Sequence, residues 1–161
     1  MSAEVFETCF RDRYAALVQV LHGLTGNRST AEDAAQEAFL RLWEKGPAAR
    51  PDADHWVFRV ARNVALDELK RERRRARRDA LSEPVDHTRP FEDDDVQRVR
   101  TVVASMRPRD REVLLLRAFA NLSGAEIAKV VGRRANAVKQ DLFRARERLR
   151  ELWLKQEGAS R

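Results

Sequence analysis

Residues 122–152 read LSGAEIAKVVGRRANAVKQDLFRARERLREL, and the reading of this stretch decides the fold. Ser123-Gly124-Ala125-Glu126 is a Ser-x-x-Glu capping box, in which hydroxyl and carboxylate satisfy orphan backbone N–H groups at a helix start. Ile127, Val130 and Val131 follow at helical spacing, and Gly132 stands where that short helix should end. Beyond it, Val138, Leu142, Ala145, Leu149 and Leu152 alternate steps of four and three, the apolar stripe of a longer helix. A short helix, a glycine-containing turn and a long basic helix form a helix-turn-helix signature.

The side of the long helix opposite Val138 and Leu142 carries Asn136, Lys139, Gln140, Phe143 and Glu147, with Arg144 at its edge. Asn and Gln can pair with adenine through two hydrogen bonds, Lys and Arg can read guanine or hold phosphate, and an aromatic ring can touch a thymine methyl. Arg134, Arg146, Arg148 and Arg150 add positive charge within phosphate range. A basic helical hairpin made for protein contact would show some of the same pattern.

Upstream of this stretch the periodicity stays helical. Residues 4–24 place Phe6, Phe10, Tyr14, Leu17, Leu21 and Leu24 on one side, and Thr25-Gly26-Asn27 ends the run. Thr30 looks like the N-cap of a helix over about residues 31–45, which stops at Gly46-Pro47. Residues 46–54 read as a loop, and Asp54 as the cap of a third helix over about 55–78. Helices resume over about 92–105 and 108–120, with Pro108 suited to a first helical turn. No strand candidate appears. The fold expected is all-α, with two small helical domains at residues 1–78 and 97–161 joined by a flexible acidic linker at 79–96.

Two further helical faces stand out. On the second helix, Asp33, Gln36, Glu37 and Leu40 share one face away from Ala35, Phe39 and Leu42. That mixture of acid, amide and leucine is ill suited to DNA and suits a protein groove with basic rims, although an ordinary solvated face has a similar composition. On the third helix, Val57, Val60, Ala61 and Val64 make the buried side, while Arg59, Arg62, Asn63, Lys70, Arg73 and Arg74 gather opposite it, with Leu66 among them. A solvated helix end whose cations complement the dipole would account for part of this basic run.

Charge follows the same segmentation. The chain of 161 residues carries net +6, distributed as −3 over residues 1–58, +6 over 59–78, −6 over 79–96 and +9 over 97–161. The alternation points to two polyanion-facing surfaces separated by an acidic spacer. No apolar run is long enough for a membrane span. Met1 to Phe6 lack the features of a secretory signal, so a cytoplasmic protein is expected. The single cysteine, Cys9, excludes an internal disulfide framework and a multi-cysteine metal site. His22, His55 and His87 are scattered, and no phosphate-binding glycine loop occurs, so neither catalytic residues, nor a metal, nor a cofactor is expected.

Four segments in order, LTGNRSTAEDAAQEAFLRLW (24–43), WVFRVARNVALDELKRERRR (56–75), Met106-Arg107-Pro108-Arg109-Asp110-Arg111-Glu112-Val113-Leu114 and LSGAEIAKVVG with AVKQDLFRARERLR (122–150), resemble the extracytoplasmic-function (group IV) sigma factors of bacterial RNA polymerase. The resemblance spans roughly residues 4–155. It implies that Asp33, Gln36, Glu37 and Leu40 dock on core polymerase. It implies that residues 46–55 capture an unstacked base of the −10 element, and that Arg59, Arg62, Asn63, Lys70, Arg73 and Arg74 serve −10 recognition and strand separation. Arg134, Asn136, Lys139, Gln140, Phe143 and Arg144 would then serve −35 recognition. The partners implied are core polymerase, promoter DNA and, commonly in this family, an anti-sigma factor; the free protein is expected to be monomeric. The acidic linker would thread the polymerase cleft and mimic a phosphate chain. A stand-alone helix-turn-helix regulator is the alternative.

The reading helix departs from the family pattern. Arg134 stands at the cap, where Ser or Thr is usual, and Asp141 replaces a residue that normally contacts phosphate or base. Asp141 either pairs locally with Arg144 or accepts from a cytosine amino group and alters −35 preference. Asp67, part of the family's RN-x-x-x-D text, could likewise pair with Arg71 at i+4.

Overall fold

The computed structural model describes residues 1–50, 52–79 and 94–159, with the backbone alone at residues 94 and 96. They form two compact units, divided between His87 and Thr88. Among the described residues there are seven helices and no strand, in keeping with the all-α expectation. None of these helices is long and apolar enough to cross a membrane.

The first unit holds α1 (Ala3–Thr25), α2 (Arg28–Lys45) and α3 (Asp52–Arg78), which pack pairwise. α1 begins where the Ser2 hydroxyl accepts from the Val5 N–H and ends at Gly26, whose left-handed φ of 70° lets its N–H return to the His22 carbonyl. α2 starts earlier than expected. Its cap is Asn27, whose side chain accepts from Thr30 N–H at 3.1 Å. Thr30 is therefore a residue of the helix, and its hydroxyl reaches Glu72 of α3 at 3.4 Å. The facing positions are small: Ala31, Ala34, Ala35 and Ala38 of α2 and Ala53, Ala61 and Ala65 of α3 are all buried. Small side chains let helices approach closely, and Leu17, Leu21, Leu42, Val57 and Phe58 fill the space between them. Gly46 closes α2 by donating to the Leu42 carbonyl at 2.9 Å, and a Cβ there would lie 2.5 Å from Leu42 Cδ1.

α3 corrects two expectations. Its first turn contains Asp54, which is buried inside the helix rather than capping it, so residues 52–54 belong to α3 and not to a loop. Its packed stripe runs through Ala53, Val57, Phe58, Ala61 and Ala65, leaving Val60 and Val64 half-buried.

The second unit holds α4 (Asp94–Ser105), α5 (Pro108–Ala120), α6 (Gly124–Val131) and α7 (Ala135–Ala159), with α7 packed against the other three. Pro108 occupies the first turn of α5, and Asn121 ends that helix in the left-handed conformation at φ 52°. The Ser123–Glu126 capping box forms as expected, with Glu126 N–H to Ser123 Oγ at 3.2 Å and Ser123 N–H to Glu126 Oε2 at 2.7 Å. Gly132 ends α6 at φ 70° and donates to Ala128. The core is Val113, Leu116, Leu122, Ile127, Val130, Val138, Leu142 and Ala145, with Arg98 of α4 stacked 5.0 Å from the Trp153 ring of α7. Most of the expected linker, residues 80–93, lies outside the described residues. Its last residues, Asp94 to Val96, are helical and open α4.

Candidate nucleic-acid and polymerase interfaces

α7 is mounted by its apolar stripe, and what remains faces solvent. Val138, Leu142 and Ala145 are buried, while Arg134, Asn136, Lys139, Gln140, Phe143 and Arg144 are all exposed, Phe143 at 69%. An aromatic ring that exposed gains nothing from the core, and it stands among amide and cationic groups suited to base edges and phosphates. The first intrahelical bond of α7 runs from Val138 N–H to the Arg134 carbonyl, so the missing cap hydroxyl costs one side-chain bond and no backbone one.

Asp141 is the exception on this helix. It is fully buried, and its carboxylate pairs with Arg133 in the turn before α7, with Arg144 one turn on, and with Arg109 of α5 at 3.7 Å. The local pairing with Arg144 is therefore present. The alternative, direct contact with a cytosine amino group, is corrected by the burial: no lone pair of this carboxylate points to solvent. Burial alone would raise the Asp141 pKa, but the hydrogen bonds from Arg133 and Arg144 and the charges of Arg133 and Arg109 outweigh it and hold the carboxyl below its ordinary range.

The basic side of α3 is likewise outward. Arg59, Asn63, Lys70, Arg73 and Arg74 are exposed and Arg62 is half-buried, its guanidinium donating to the Asn63 side-chain oxygen at 3.2 Å. Arg71 pairs with Glu68 at 3.5 Å rather than with Asp67, which is exposed. At the start of α3, Asp54 gathers a second cluster. It accepts from Arg13 Nε at 2.9 Å, Arg50 at 2.7 Å and Cys9 Sγ at 3.1 Å. Burial raises the Asp54 pKa, yet the bonds from Arg50, Cys9 and Arg13 bring it below the ordinary carboxylate range. The Cys9 thiol is pushed up to about 12, by burial first and then by its bond to Asp54. Arg50, which also reaches Asp12 at 3.4 Å, thereby anchors the segment between α2 and α3.

On α2, Asp33 and Gln36 are exposed, Glu37 is half-buried and paired with Arg41 at 2.7 Å, and Leu40 is exposed. Leu40 also lines a shallow apolar groove with Trp43, Phe6, Ala3 and Glu7. Phe6 meets Trp43 edge-on at 5.3 Å and Phe39 at 6.1 Å. Trp43, Arg13, Arg109 and Arg133 were not among the expected interface or cluster residues, while Arg50 lies within the expected base-capturing residues 46–55. Trp43 follows Leu40 at i+3, and that spacing was the available signal.

Two family models match the chain in order: Sigma-70 region 2 over residues 9–75 and Sigma-70, region 4 over residues 96–149. The ECF RNA polymerase sigma factor SigC of Mycobacterium tuberculosis (strain CDC 1551 / Oshkosh) is 34% identical over 128 residues, covering 74% of this chain and 68% of that protein. SigL of Mycobacterium tuberculosis (strain ATCC 25618 / H37Rv) is 30% identical over 168 residues, covering 99% of this chain and 94% of that protein. Among solved structures, the sigma factor RpoE from Bartonella quintana, in complex with the anti-sigma factor NepR, shares the fold. Its TM-score is 0.78 at 21% identity, with 94% of this chain and 98% of that one covered. CnrH, in complex with the cytosolic domain of CnrY, gives 0.70 at 26% identity, covering 94% and 89%. With region 2 on α1–α3, region 4 on α4–α7 and a SigL match over nearly its whole length, the chain belongs to the ECF sigma factor family of RNA polymerase.

Proposed function

We propose that this sigma factor divides its work between the units as follows. Asp33, Gln36, Glu37 and Leu40 on α2 dock on core RNA polymerase. Residues 46–55 and the basic face of α3, Arg59, Arg62, Asn63, Lys70, Arg73 and Arg74, capture and separate the −10 element. Arg134, Asn136, Lys139, Gln140, Phe143 and Arg144 on α7 read the −35 element in the major groove. The observation that carries this reading is the exposed polar and aromatic face of α7, mounted on a helix-turn-helix by its buried Val138, Leu142 and Ala145.

The protein acts in the cytoplasm, as a monomer when free, and has no catalytic chemistry of its own. It supplies promoter choice, and the polymerase makes the phosphodiester bonds. RpoE, solved with the anti-sigma factor NepR, supports a further partner of that kind for this chain, for which the α2 surface is the proposed site. Run-off transcription on genomic fragments, with bacterial core polymerase and the purified chain, is the direct test. Promoter-dependent transcripts are expected only with both present. Sequence-specific DNA binding without core polymerase, together with no core binding, would instead identify a stand-alone helix-turn-helix regulator. Gln36→Ala combined with Glu37→Ala should weaken core binding while the helical circular dichroism signal stays unchanged.

A further inference from the structure

Asp141 places a negative charge on the helix assigned to DNA, and simple electrostatics would count that against binding. The geometry around it points the other way. Its carboxylate is wholly buried, yet two of its three arginine partners are largely exposed, Arg109 at 59% and Arg144 at 51% of their side-chain surface, with Arg133 at 20%. A guanidinium has five N–H donors in a planar fork, so an arginine that spends some on a carboxylate keeps others for a second anion. The three arginines come from three places, the first turn of α5, the turn after α6 and the third turn of α7. Arg133 is fixed by its backbone as well, through its N–H to the Ala128 carbonyl at 3.1 Å. Without a shared counter-ion, three cations this close would repel one another and swing apart into water.

We propose that Asp141 is a positioning residue that gathers Arg109, Arg133 and Arg144 into one clamp for a DNA backbone phosphate beside the reading helix. The cluster carries three positive charges against one negative and so remains attractive to phosphate. Holding the side chains in place before binding removes much of the rotamer entropy that flexible arginines lose on contact. Arg109 and Arg133 thereby join the DNA-facing set, and the contact extends from α7 to the start of α5. The inference rests on the reading of α7 as the DNA-facing helix.

The test uses holoenzyme, reconstituted from bacterial core polymerase and the full chain. The probe is a duplex enriched by wild-type holoenzyme from a pool randomised across the −35 region. Affinity is measured across a salt series for wild type, Asp141→Asn, Arg109→Gln and Lys139→Ala. Asp141→Asn removes a negative charge, so pure charge counting expects equal or tighter binding and an equal or steeper salt slope. Positioning expects binding about tenfold weaker, with a salt slope shallower by about one, since each phosphate contact contributes about 0.9. Arg109→Gln, at an exposed position that does not threaten folding, should flatten the slope by about one. Equal or tighter binding by Asp141→Asn, or an unchanged slope for Arg109→Gln, overturns the clamp. Should Asp141→Asn fail to fold, the Arg109→Gln slope alone decides. Lys139→Ala separates the two levels. If it weakens binding while Asp141→Asn and Arg109→Gln do not, the clamp fails and the −35 reading stands. If it has no effect, α7 is not the DNA-facing helix and both fall.

Discussion

Each unit holds a buried aspartate that gathers two or more arginines, and the two clusters are used differently. Asp54 draws Arg13 from α1, Arg50 from the segment before α3 and the Cys9 thiol, and its arginines keep only 30% and 24% of their side-chain surface. Asp141 draws Arg109, Arg133 and Arg144, two of which stay more than half exposed. In the first cluster the donors are spent inward: they hold three chain segments together and leave little for any outside anion. In the second the donors are shared between the carboxylate and solvent. The same ion-pair chemistry therefore acts as a fastening in one unit and as a presenting device in the other. What distinguishes them is which way the guanidinium forks face.

That contrast can be broken or sharpened by experiment. The largest effect should be on Cys9. With its pKa at about 12 against an ordinary 9.0, its thiolate population near neutrality falls by about a thousandfold, so alkylation should be slower than that of a free cysteine by at least that factor. Asp54→Asn should restore only the smaller share due to Asp54, because burial is the larger cause, and ready labelling of the wild-type chain would show that the Asp54 cluster is open. Next comes stability. Asp54→Asn leaves the largely covered Arg13 without its counter-charge, and Arg50 with Asp12 alone, and should cost about 3 kcal/mol in denaturant unfolding of the first unit. Asp141→Asn, two of whose three arginines can turn to water while Arg133 stays covered, should cost less, about 2 kcal/mol, in the second. The ranking for DNA affinity should be the reverse, with Asp141→Asn the more damaging. An equal stability loss at the two sites would erase the distinction.

The smallest effect is in the pH dependence. Both carboxylates have lowered pKa values in the fold, so each contributes stability that is complete above the unfolded value of about 4 and is lost as pH falls toward the folded value. Acid titrations followed by circular dichroism should show that loss below about pH 4, and each Asp→Asn variant should flatten it. The raised Cys9 pKa acts at the other end, its contribution fading as pH rises from 9.0 toward about 12.

Helical periodicity carried most of the architecture. The capping box, Gly132, the apolar stripe of α7 and the outward polar faces all lie where spacing of apolar residues puts them. The expected −35 residues are exposed together because a buried stripe of Val138, Leu142 and Ala145 leaves them nowhere else to point. The two aspartate clusters were not legible in the same way. Periodic reading assigns charges outward, and so makes Asp54 a helix cap and Asp141 a local pair or a base contact. Yet Asp54 precedes Val57, Phe58 and Ala61 by three, four and seven residues, and Asp141 lies three after Val138, so both sit in the register of the packed stripe. Spacing alone could have marked them as buried. It could have paired Arg50 with Asp54 four residues on, but not Arg13 or Arg109, which are distant along the chain and meet their aspartates only through tertiary packing. Asn27 was passed over for a different reason: Thr30 offered an equally good cap oxygen, and only the backbone geometry of Asn27 decides between them.

The division of labour on α7 has a consequence for how this protein can change. Asn136, Lys139, Gln140 and Phe143 take no part in the Asp141 cluster, and Arg144 alone belongs to both sets. On the proposed assignment, replacing one of those four side chains would alter which bases are preferred without loosening the mount that presents them. Promoter preference can therefore drift in single steps, each tried on an already competent scaffold, and a bacterium could acquire a new set of target genes from a copy of this chain by exchanging a few outward residues.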